Sequence, residues 1–200
     1  MNSGYLTAGD IKYQDTNGDG QITDADKRRL GKSGKPRGQF GINLNMSYKG
    51  FYLSALFQGS TKFNMYVAGS LGMQTGQTYG MPVAYDYQTD FWTPDNRDAQ
   101  YPRLMANTAL NQNNNYASSD FWLINGAYLR MKDFQFGYDF KYSLLKNVSW
   151  LTRCKMGISG QNIFTISQAT KYGMDPEPSD TNYYGYPVER TIALTLNLGF

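Results

Sequence analysis

A short segment near the start of the chain has residue types and a spacing that could hold a hard metal ion. Asp15, Asn17 and Asp19 occupy alternate positions, Gly20 follows them, and Asp26 ends the run. This is the spacing of an EF-hand-type loop, in which carboxylate and amide oxygens converge on calcium as the backbone turns at the glycine. Gln21 falls where such a loop supplies a main-chain carbonyl. The pattern predicts a structural calcium site in residues 15–26, with the ligands Asp15, Asn17, Asp19, Gln21 and Asp26.

The last position of this loop departs from the usual pattern. Asp26 stands where a bidentate glutamate is common. The shorter side chain predicts binding through a single oxygen and a weaker site. The alternative is a metal-free turn built from Asx and glycine residues. A single loop of this kind is expected to pin a segment in place rather than to sense calcium or to catalyse a reaction.

The composition excludes most enzyme classes. The 200 residues contain no histidine, one cysteine and two glutamates, which rules out Ser-His-Asp and Cys-His catalysis, histidine-ligated metals and internal disulfides. Asp175 and Glu177 flank Pro176 in an extended loop, which disfavours acid–base catalysis there. The net charge is +3, and the one basic run, at residues 27–29, has no interleaved aromatics. We therefore expect neither an enzyme nor a nucleic-acid partner.

Strict alternation of apolar and polar residues predicts an all-β fold. In the last run, Leu194, Leu196 and Leu198 share one parity, while small polar residues share the other. Similar runs predict an antiparallel meander of five strands, each about ten residues long, at residues 38–48, 51–60, 127–140, 153–165 and 190–200. In the third run the apolar parity shifts near Lys132, which indicates either a bulge or a strand top above the apolar layer.

Two architectures fit this alternation. A soluble sandwich would turn the apolar faces inward, whereas a transmembrane barrel would turn them to lipid. The polar faces carry small uncharged residues instead of Lys and Glu, and Tyr and Phe cluster at strand ends, which favours the barrel. Long loops fall at residues 60–126 and 166–189. In a barrel these loops would be extracellular, as would residues 1–37 with the calcium loop.

The first long loop contains aromatic residues that could contact a substrate or a partner. Its most distinctive features are a Phe-Trp-Thr-Pro motif, a Tyr-Pro-Arg-Leu motif and a later tryptophan. Aromatic rings can stack on sugars, although such turns more often only fix the shape of a loop. The candidate contact residues are Phe91, Trp92, Tyr101, Arg103 and Trp122.

Several short motifs, in order along nearly the whole chain, resemble those of one protein family. They lie at residues 9–20, 47–51, 57–59, 91–94, 101–104, 119–123, 126–132 and 160–164, with a closing Phe200. With these motifs the chain resembles the C-terminal part of the SusC/RagA family of TonB-linked outer-membrane transporters.

The resemblance implies a fold, a location and partners. Family barrels have about 22 strands around a plug, and this chain would form the last five. It implies the cell outer membrane, import of glycans or peptides, a SusD-like surface lipoprotein, and energy from the TonB complex through parts outside this chain. Further contacts would be the remaining barrel and plug and the outer-membrane lipid. Phe200 would serve as the barrel-assembly signal.

Five strands cannot close such a barrel, because both edges of the sheet would keep unpaired backbone groups. The chain is therefore expected to be a fragment, or one part of a split barrel, that does not transport alone. A protein of another class also fits the sequence. A soluble, calcium-stabilised β module could bind carbohydrate through its loop aromatics, with a dockerin-like half-site at its start. The single copy of the loop disfavours this alternative, since dockerins use two.

Overall fold

The computed structural model describes residues 6–31, 33–66, 89–104, 114–177 and 188–200. The chain forms two compact units. Unit 1 comprises residues 1–34, 64–124 and 179–184, and unit 2 comprises residues 35–63, 125–178 and 185–200. Parts of both predicted long loops, including residues 67–88 and 178–187, lie outside the described residues.

The predicted all-β, antiparallel class is confirmed, with eight strands in the described residues where the sequence predicts five. The three additional strands have three residues each. The strands are β1 Gly38–Tyr48, β2 Phe51–Thr61, β3 Asn64–Tyr66, β4 Leu123–Asn125, β5 Tyr128–Asp139, β6 Arg153–Gln161, β7 Thr165–Ser167 and β8 Thr191–Gly199.

Unit 2 contains the main sheet. Its strands follow the order β1-β2-β5-β6-β8, and β7 pairs with the start of β5. The β1–β2 hairpin closes through a two-residue turn, in which Lys49 and Gly50 both have positive φ values, 47° and 90°. Two such residues form the turn whose twist matches that of the flanking strands. The chain therefore reverses directly after Tyr48 and restarts its alternation in register.

A bulge at Lys132 explains the parity shift in β5. Leu56 of β2 lies opposite Asp133, whereas the next residue, Phe57, lies opposite Met131, so Lys132 is left over. The extra residue returns Met131 to the apolar side of the sheet. Of the two explanations that the sequence allows, the structure shows the bulge.

The neighbouring strand breaks opposite this bulge. The sequence predicts one strand over residues 153–165, but the structure has β6 and β7 separated by residues 162–164. Asn162 has a φ of +52°, and its amide donates to the Lys132 carbonyl. Asparagine tolerates this left-handed conformation better than most residues. The break keeps β7 paired with β5 beyond the bulge.

The apolar parity of the main sheet is exposed. Leu194 and Leu196 on β8 have 87% and 64% of their surface accessible. The same parity on the neighbouring strands carries further exposed side chains, namely Ile42, Leu44, Met46, Phe51, Phe136, Met156 and Ile158. In a soluble sandwich, the second sheet would cover this face. The structure therefore disfavours a sandwich core on this side.

Unit 1 is built mostly from irregular segments. It contains β3 paired with β4, and 3-10 helices at Asp24–Asp26, Asn114–Tyr116 and Asp120–Trp122. Unit 2 adds 3-10 helices at Phe140–Tyr142 and Ala169–Tyr172. Every helix in the described residues is a single short turn, and none has the length and apolar character to span a membrane.

Candidate functional site

The predicted calcium loop forms a tight, preorganised turn. The Asp15 carboxylate accepts hydrogen bonds from the amides of Gly18 and Gly20, at 2.6 and 2.8 Å. Both glycines have positive φ values, 79° and 78°, which few other residues adopt. Asn17 accepts from the Asp19 amide in the same way. The backbone thus curls around the side chains at the first three predicted ligand positions.

Asp26 closes the loop from a buried position. One carboxylate oxygen accepts from the Thr16 amide and the other from the Thr23 amide, both at 2.8 Å. The hydrogen bonds from the Thr23 and Thr16 amides lower the pKa of Asp26, although burial opposes them. Among the described residues, no three Asp, Glu, His or Cys side chains converge as a metal site. The oxygen donors suit calcium chemically, and the ligand set stays a prediction.

Four of the five aromatic-loop candidates lie together in unit 1. Phe91 and Tyr101 form a parallel bridge, and the Trp92 amide donates to the Tyr101 carbonyl at 2.9 Å. The Trp92 indole packs closely against Gly9, where an added Cβ would lie 2.4 Å from the ring. The Arg103 amide donates a hydrogen bond to the Gly9 carbonyl at 2.9 Å. These residues therefore fasten the start of the chain to the loop.

A buried ion pair completes this cluster. Arg103 binds Asp10 through two nitrogens, at 2.7 and 3.1 Å, and the Asp10 side chain is only 2% exposed. Burial alone would raise the pKa of Asp10, but hydrogen bonds from Arg103, Thr7 and Asn115 outweigh it and hold the pKa below its usual value. Asp10 is thus a fixed, charged anchor. Sequence reasoning missed it, although it lies in one of the family-like motifs.

The fifth candidate, Trp122, is buried rather than presented at the surface. Its indole nitrogen donates to the Asn115 carbonyl at 2.8 Å, and its neighbour Phe121 packs edge-on against it while staying exposed. Asn114 and Asn115 are also buried, and both bond to Ile11. These asparagines lie at the end of an asparagine-rich run, which was the available sequence signal. Trp122 holds this part of the loop together.

Unit 2 contains a second charge cluster, on the polar face of the main sheet. Arg130 of β5 is 3% exposed and binds Asp175 at 2.6 Å and Glu177 at 2.5 Å. Lys132, the bulged residue, binds Glu177 at 3.0 Å. The two carboxylates that flank Pro176 therefore both form ion pairs with β5. Their pairing with β5 joins residues more than 40 positions apart, so local sequence patterns could not predict it.

The polar face is shaped further by a tyrosine that lies across two glycines. Tyr52, Gly137 and Gly157 are cross-strand neighbours on β2, β5 and β6. A Cβ at Gly137 or Gly157 would meet the Tyr52 hydroxyl oxygen at 2.4 or 2.8 Å. The Lys155 ammonium lies 5.4 Å from the centre of the Tyr52 ring, within cation–π range. The glycines provide the space that lets the ring lie on the sheet.

The final residue, Phe200, packs on another aromatic residue at the sheet end. Its ring stacks on Trp150 with centroids 5.8 Å apart and planes 7° apart, and both side chains remain exposed. Exposed paired aromatics at a strand end suit a membrane interface. The assembly role of Phe200 stays a prediction.

No family model matches the chain, but individual proteins do. The TonB-dependent receptor P3 of Formosa agariphila is 28% identical over 213 residues, covering 99% of this chain and 20% of the receptor. Receptors P26 and P39 of the same organism are 28% and 25% identical, over 96% and 98% of this chain. The chain therefore spans about one fifth of the length of these relatives.

Solved structures match the fold of the same region. The RagAB peptide transporter aligns with a TM-score of 0.61 at 21% identity, covering 90% of this chain and 19% of that chain. The RagAB peptide importer in its open-open state aligns with a TM-score of 0.63 at 21% identity, covering 96% and 20%. The chain is thus a relative of the TonB-dependent receptors along nearly its full length, and its structural neighbours are RagAB transporters of the SusC/RagA type.

Proposed function

We propose that this chain is the C-terminal part of a SusC-like, TonB-dependent transporter of the cell outer membrane. The observation that carries the proposal is the main sheet, in which an exposed apolar face backs onto a polar face. In a barrel wall, the first face meets lipid and the second lines an aqueous interior. The five longer strands have 9–12 residues, and a tilted strand needs about 9–11 to cross the bilayer.

The open edges of the sheet support the proposal that this chain is one part of a larger barrel. Among the described residues, β1 pairs only with β2, and β8 pairs only with β6. Unpaired amides and carbonyls are too costly to leave in lipid, so further strands must cover both edges. In this proposal the rest of the transporter supplies those strands and the plug. The chain alone would not form a passage.

The proposed cargo is a glycan or a peptide, taken up with a SusD-like lipoprotein and with energy from the TonB complex. The RagAB neighbours are described as peptide transporters, which supports the peptide class for a fold of this kind. Unit 1 would form the extracellular loop body, and its exposed Phe121 is suited to a partner contact. The exposed apolar face disfavours the soluble carbohydrate-binding alternative.

Substitutions on the two faces of β8 test the lipid contact. We expect Leu196→Arg to reduce the amount of assembled full-length transporter in the outer membrane, because arginine near the bilayer midplane costs about 2–4 kcal/mol. Thr195→Arg is the matched control, since it adds the same charge to the polar face. Immunoblots of outer-membrane fractions measure the amount of assembled transporter for each variant. Equal losses for the two variants, or none for Leu196→Arg, would contradict the lipid assignment.

We also propose that residues 15–26 bind calcium as a structural ion. Asp26 Oδ1 accepts from the amides of Thr16 and Asn17 and from the Thr16 hydroxyl, whereas Oδ2 accepts only from the Thr23 amide. A carboxylate oxygen has two lone pairs, so Oδ2 keeps one for a metal bond. Extracellular sites work with dissociation constants of about 10⁻⁴–10⁻³ M. An ion here would stiffen the turn that follows the Asp10 anchor.

Calorimetric titration with calcium tests this site. We expect binding heat for the wild type and for Asp24→Asn, because Asp24 is exposed and lies outside the ligand positions. We expect Asp15→Ala to abolish the heat, because it removes the first ligand and the acceptor for the Gly18 and Gly20 amides. Equal heats from the wild type and Asp15→Ala would refute the site and leave the transporter proposal intact.

A further inference from the structure

Residues 168–177 form a segment, here called the strap, that runs from the end of β7 to the Asp175–Glu177 pair. It begins with the 3-10 helix Ala169–Tyr172. Four of its side chains are buried, namely Ala169, Tyr172, Met174 and Pro176. A segment with this many buried side chains is packed structure rather than a free loop.

The far end of the strap is fastened by Arg130. All three guanidinium nitrogens are used: one nitrogen binds Asp175, another binds Glu177, and the Nε donates to the Thr165 hydroxyl at 2.9 Å. Glu177 also accepts from Lys132, through both carboxylate oxygens at 3.0 Å, and from Gln58 at 3.4 Å. Two positive and two negative groups balance within this cluster. Charge-assisted bonds shared in this way hold a segment in one geometry.

The near end is tied as well. The Gln168 side-chain oxygen accepts from the Asn125 amide at 2.9 Å, and the Ser167 hydroxyl donates to the Ala127 carbonyl at 3.0 Å. The strap is therefore held at its near end by residues 125–127, which lead into β5, and at its far end by Arg130.

The acidic end of the strap lies on the polar face of the sheet. Arg130 is the cross-strand partner of Gln58, which shares its parity with Ser54 and Tyr52 on β2. In the proposed transporter this face is the inside of the barrel. The strap would therefore lie within the passage, where a segment that moves would act as a gate and a segment that stays would form part of the wall.

We infer that the strap is a permanent part of the passage wall, with Arg130 as the residue that positions it. This inference rests on the proposed transporter function. Segments that open during function are drawn from the parts of a protein with few buried contacts. Opening the strap would instead uncover its four buried side chains and break the ion pairs of a nearly inaccessible arginine.

Cysteine labelling in the full-length transporter tests whether the strap stays closed. Ala169→Cys places a thiol at a fully buried position, and Lys171→Cys, two residues on, places one at an exposed position. We expect a membrane-impermeant maleimide to label Lys171→Cys on intact cells and to leave Ala169→Cys protected. The protection should be equal in respiring cells fed a casein digest and in uncoupled cells. Labelling of Ala169→Cys only in the respiring cells would identify a gate and overturn the inference.

The same thiols test the role of Arg130. In the Ala169→Cys background, we expect Arg130→Met to raise the labelling rate by roughly tenfold or more, since local opening sets the rate. Arg130→Lys keeps the charge but lacks the planar fork of three nitrogens that binds Thr165, Asp175 and Glu177, so it should give a smaller increase than Arg130→Met. Glu177→Gln disrupts the ion pairs more mildly, because it removes only one charge of the cluster. Its matched control is Glu189→Gln, at an exposed position. Continued protection in both Arg130→Met and Glu177→Gln would overturn the fastening role.

Failure of the transporter proposal gives a different result. Lys171→Cys would then label in purified protein but not on intact cells. The contrast between positions 169 and 171 in the purified protein would still test the strap as a fixed segment.

Discussion

At the residue scale, the structure assigns anchoring roles to side chains that the sequence offers as contact candidates. Arg103 and Trp122 are predicted to contact a substrate or partner. In the structure, Arg103 forms an ion pair with Asp10, and the Trp122 indole donates a hydrogen bond to the Asn115 carbonyl. The Asp10–Arg103 pair joins residues 93 positions apart. Residue types and local spacing carry no information about such a pairing, so it could not be predicted. The predicted ligands of the calcium loop are close in sequence, so local spacing is enough to propose them.

The Asp10 anchor predicts a pH-dependent stability of unit 1. The pKa of Asp10 is lowered on folding, so its contribution is fully present above its unfolded value of about 3.9 and is lost as the pH falls through the folded pKa. At neutral pH we expect Asp10→Asn to cost about 1–3 kcal/mol, because it removes the buried carboxylate charge that binds the Arg103 guanidinium. Urea unfolding followed by tryptophan fluorescence measures this change in the free energy of unfolding, since Trp92 and Trp122 both lie in unit 1.

Asp24→Asn is the control for this experiment, because the ion pair of Asp24 with Lys27 lies at the surface, where solvent screens it. The difference in the free energy of unfolding between the wild type and Asp10→Asn should disappear at acidic pH. A gap that persists well below the usual pKa of aspartate would contradict the electrostatic explanation.

At the element scale, period-2 alternation predicts the long strands well. The predicted ranges 38–48 and 51–60 compare with Gly38–Tyr48 and Phe51–Thr61 in the structure. Alternation fails where strands are too short to show a period, as in β3 and β4, and where pairing breaks a strand, as at residues 162–164. That break lies opposite the Lys132 bulge, and register between distant strands is set by tertiary pairing.

The contact between Tyr52 and Gly137 predicts that strand glycines differ in how well they tolerate an added side chain. A Cβ at Gly137 would lie 2.4 Å from both the Met156 carbonyl oxygen and the Tyr52 hydroxyl. The carbonyl is backbone and cannot move aside, so we expect Gly137→Ala to destabilise the sheet by about 1–3 kcal/mol. At Gly41, also on the polar parity, the nearest atom would be a comfortable 3.8 Å away, so Gly41→Ala should be tolerated.

Thermal unfolding of the two glycine variants in detergent measures this difference. Equal melting temperatures for Gly137→Ala and Gly41→Ala would refute the close packing across β2, β5 and β6. Adding Tyr52→Phe to Gly137→Ala should recover only part of the loss, because the clash with the Met156 carbonyl remains.

At the scale of the whole molecule, the main sheet exposes an apolar face and unpaired strand edges, neither of which is stable in water. Exposed leucines line one face of the main sheet, and two sheet edges lack partners among the described residues. Exposed apolar patches and open edges both drive association. Charge does not oppose it strongly, since the net charge is only +3. A low fraction of charged residues, 18%, and a high fraction of aromatic residues, 16%, are typical of the membrane wall that we propose.

This surface predicts that the 200-residue chain depends on detergent. In plain buffer we expect it to associate through its apolar face and edges, whereas detergent micelles should disperse it by covering the face that lipid would cover. Light scattering and circular dichroism in the two media measure the effect. Replacing Leu194, Leu196 and Leu198 with serine should weaken association in buffer, while serines at Ala193 and Thr195 on the opposite parity should not. A monomer that unfolds cooperatively in plain buffer, with the Leu194, Leu196 and Leu198 amides protected from exchange, would mean that the apolar face is covered within the chain and that β8 is not a lipid-facing strand.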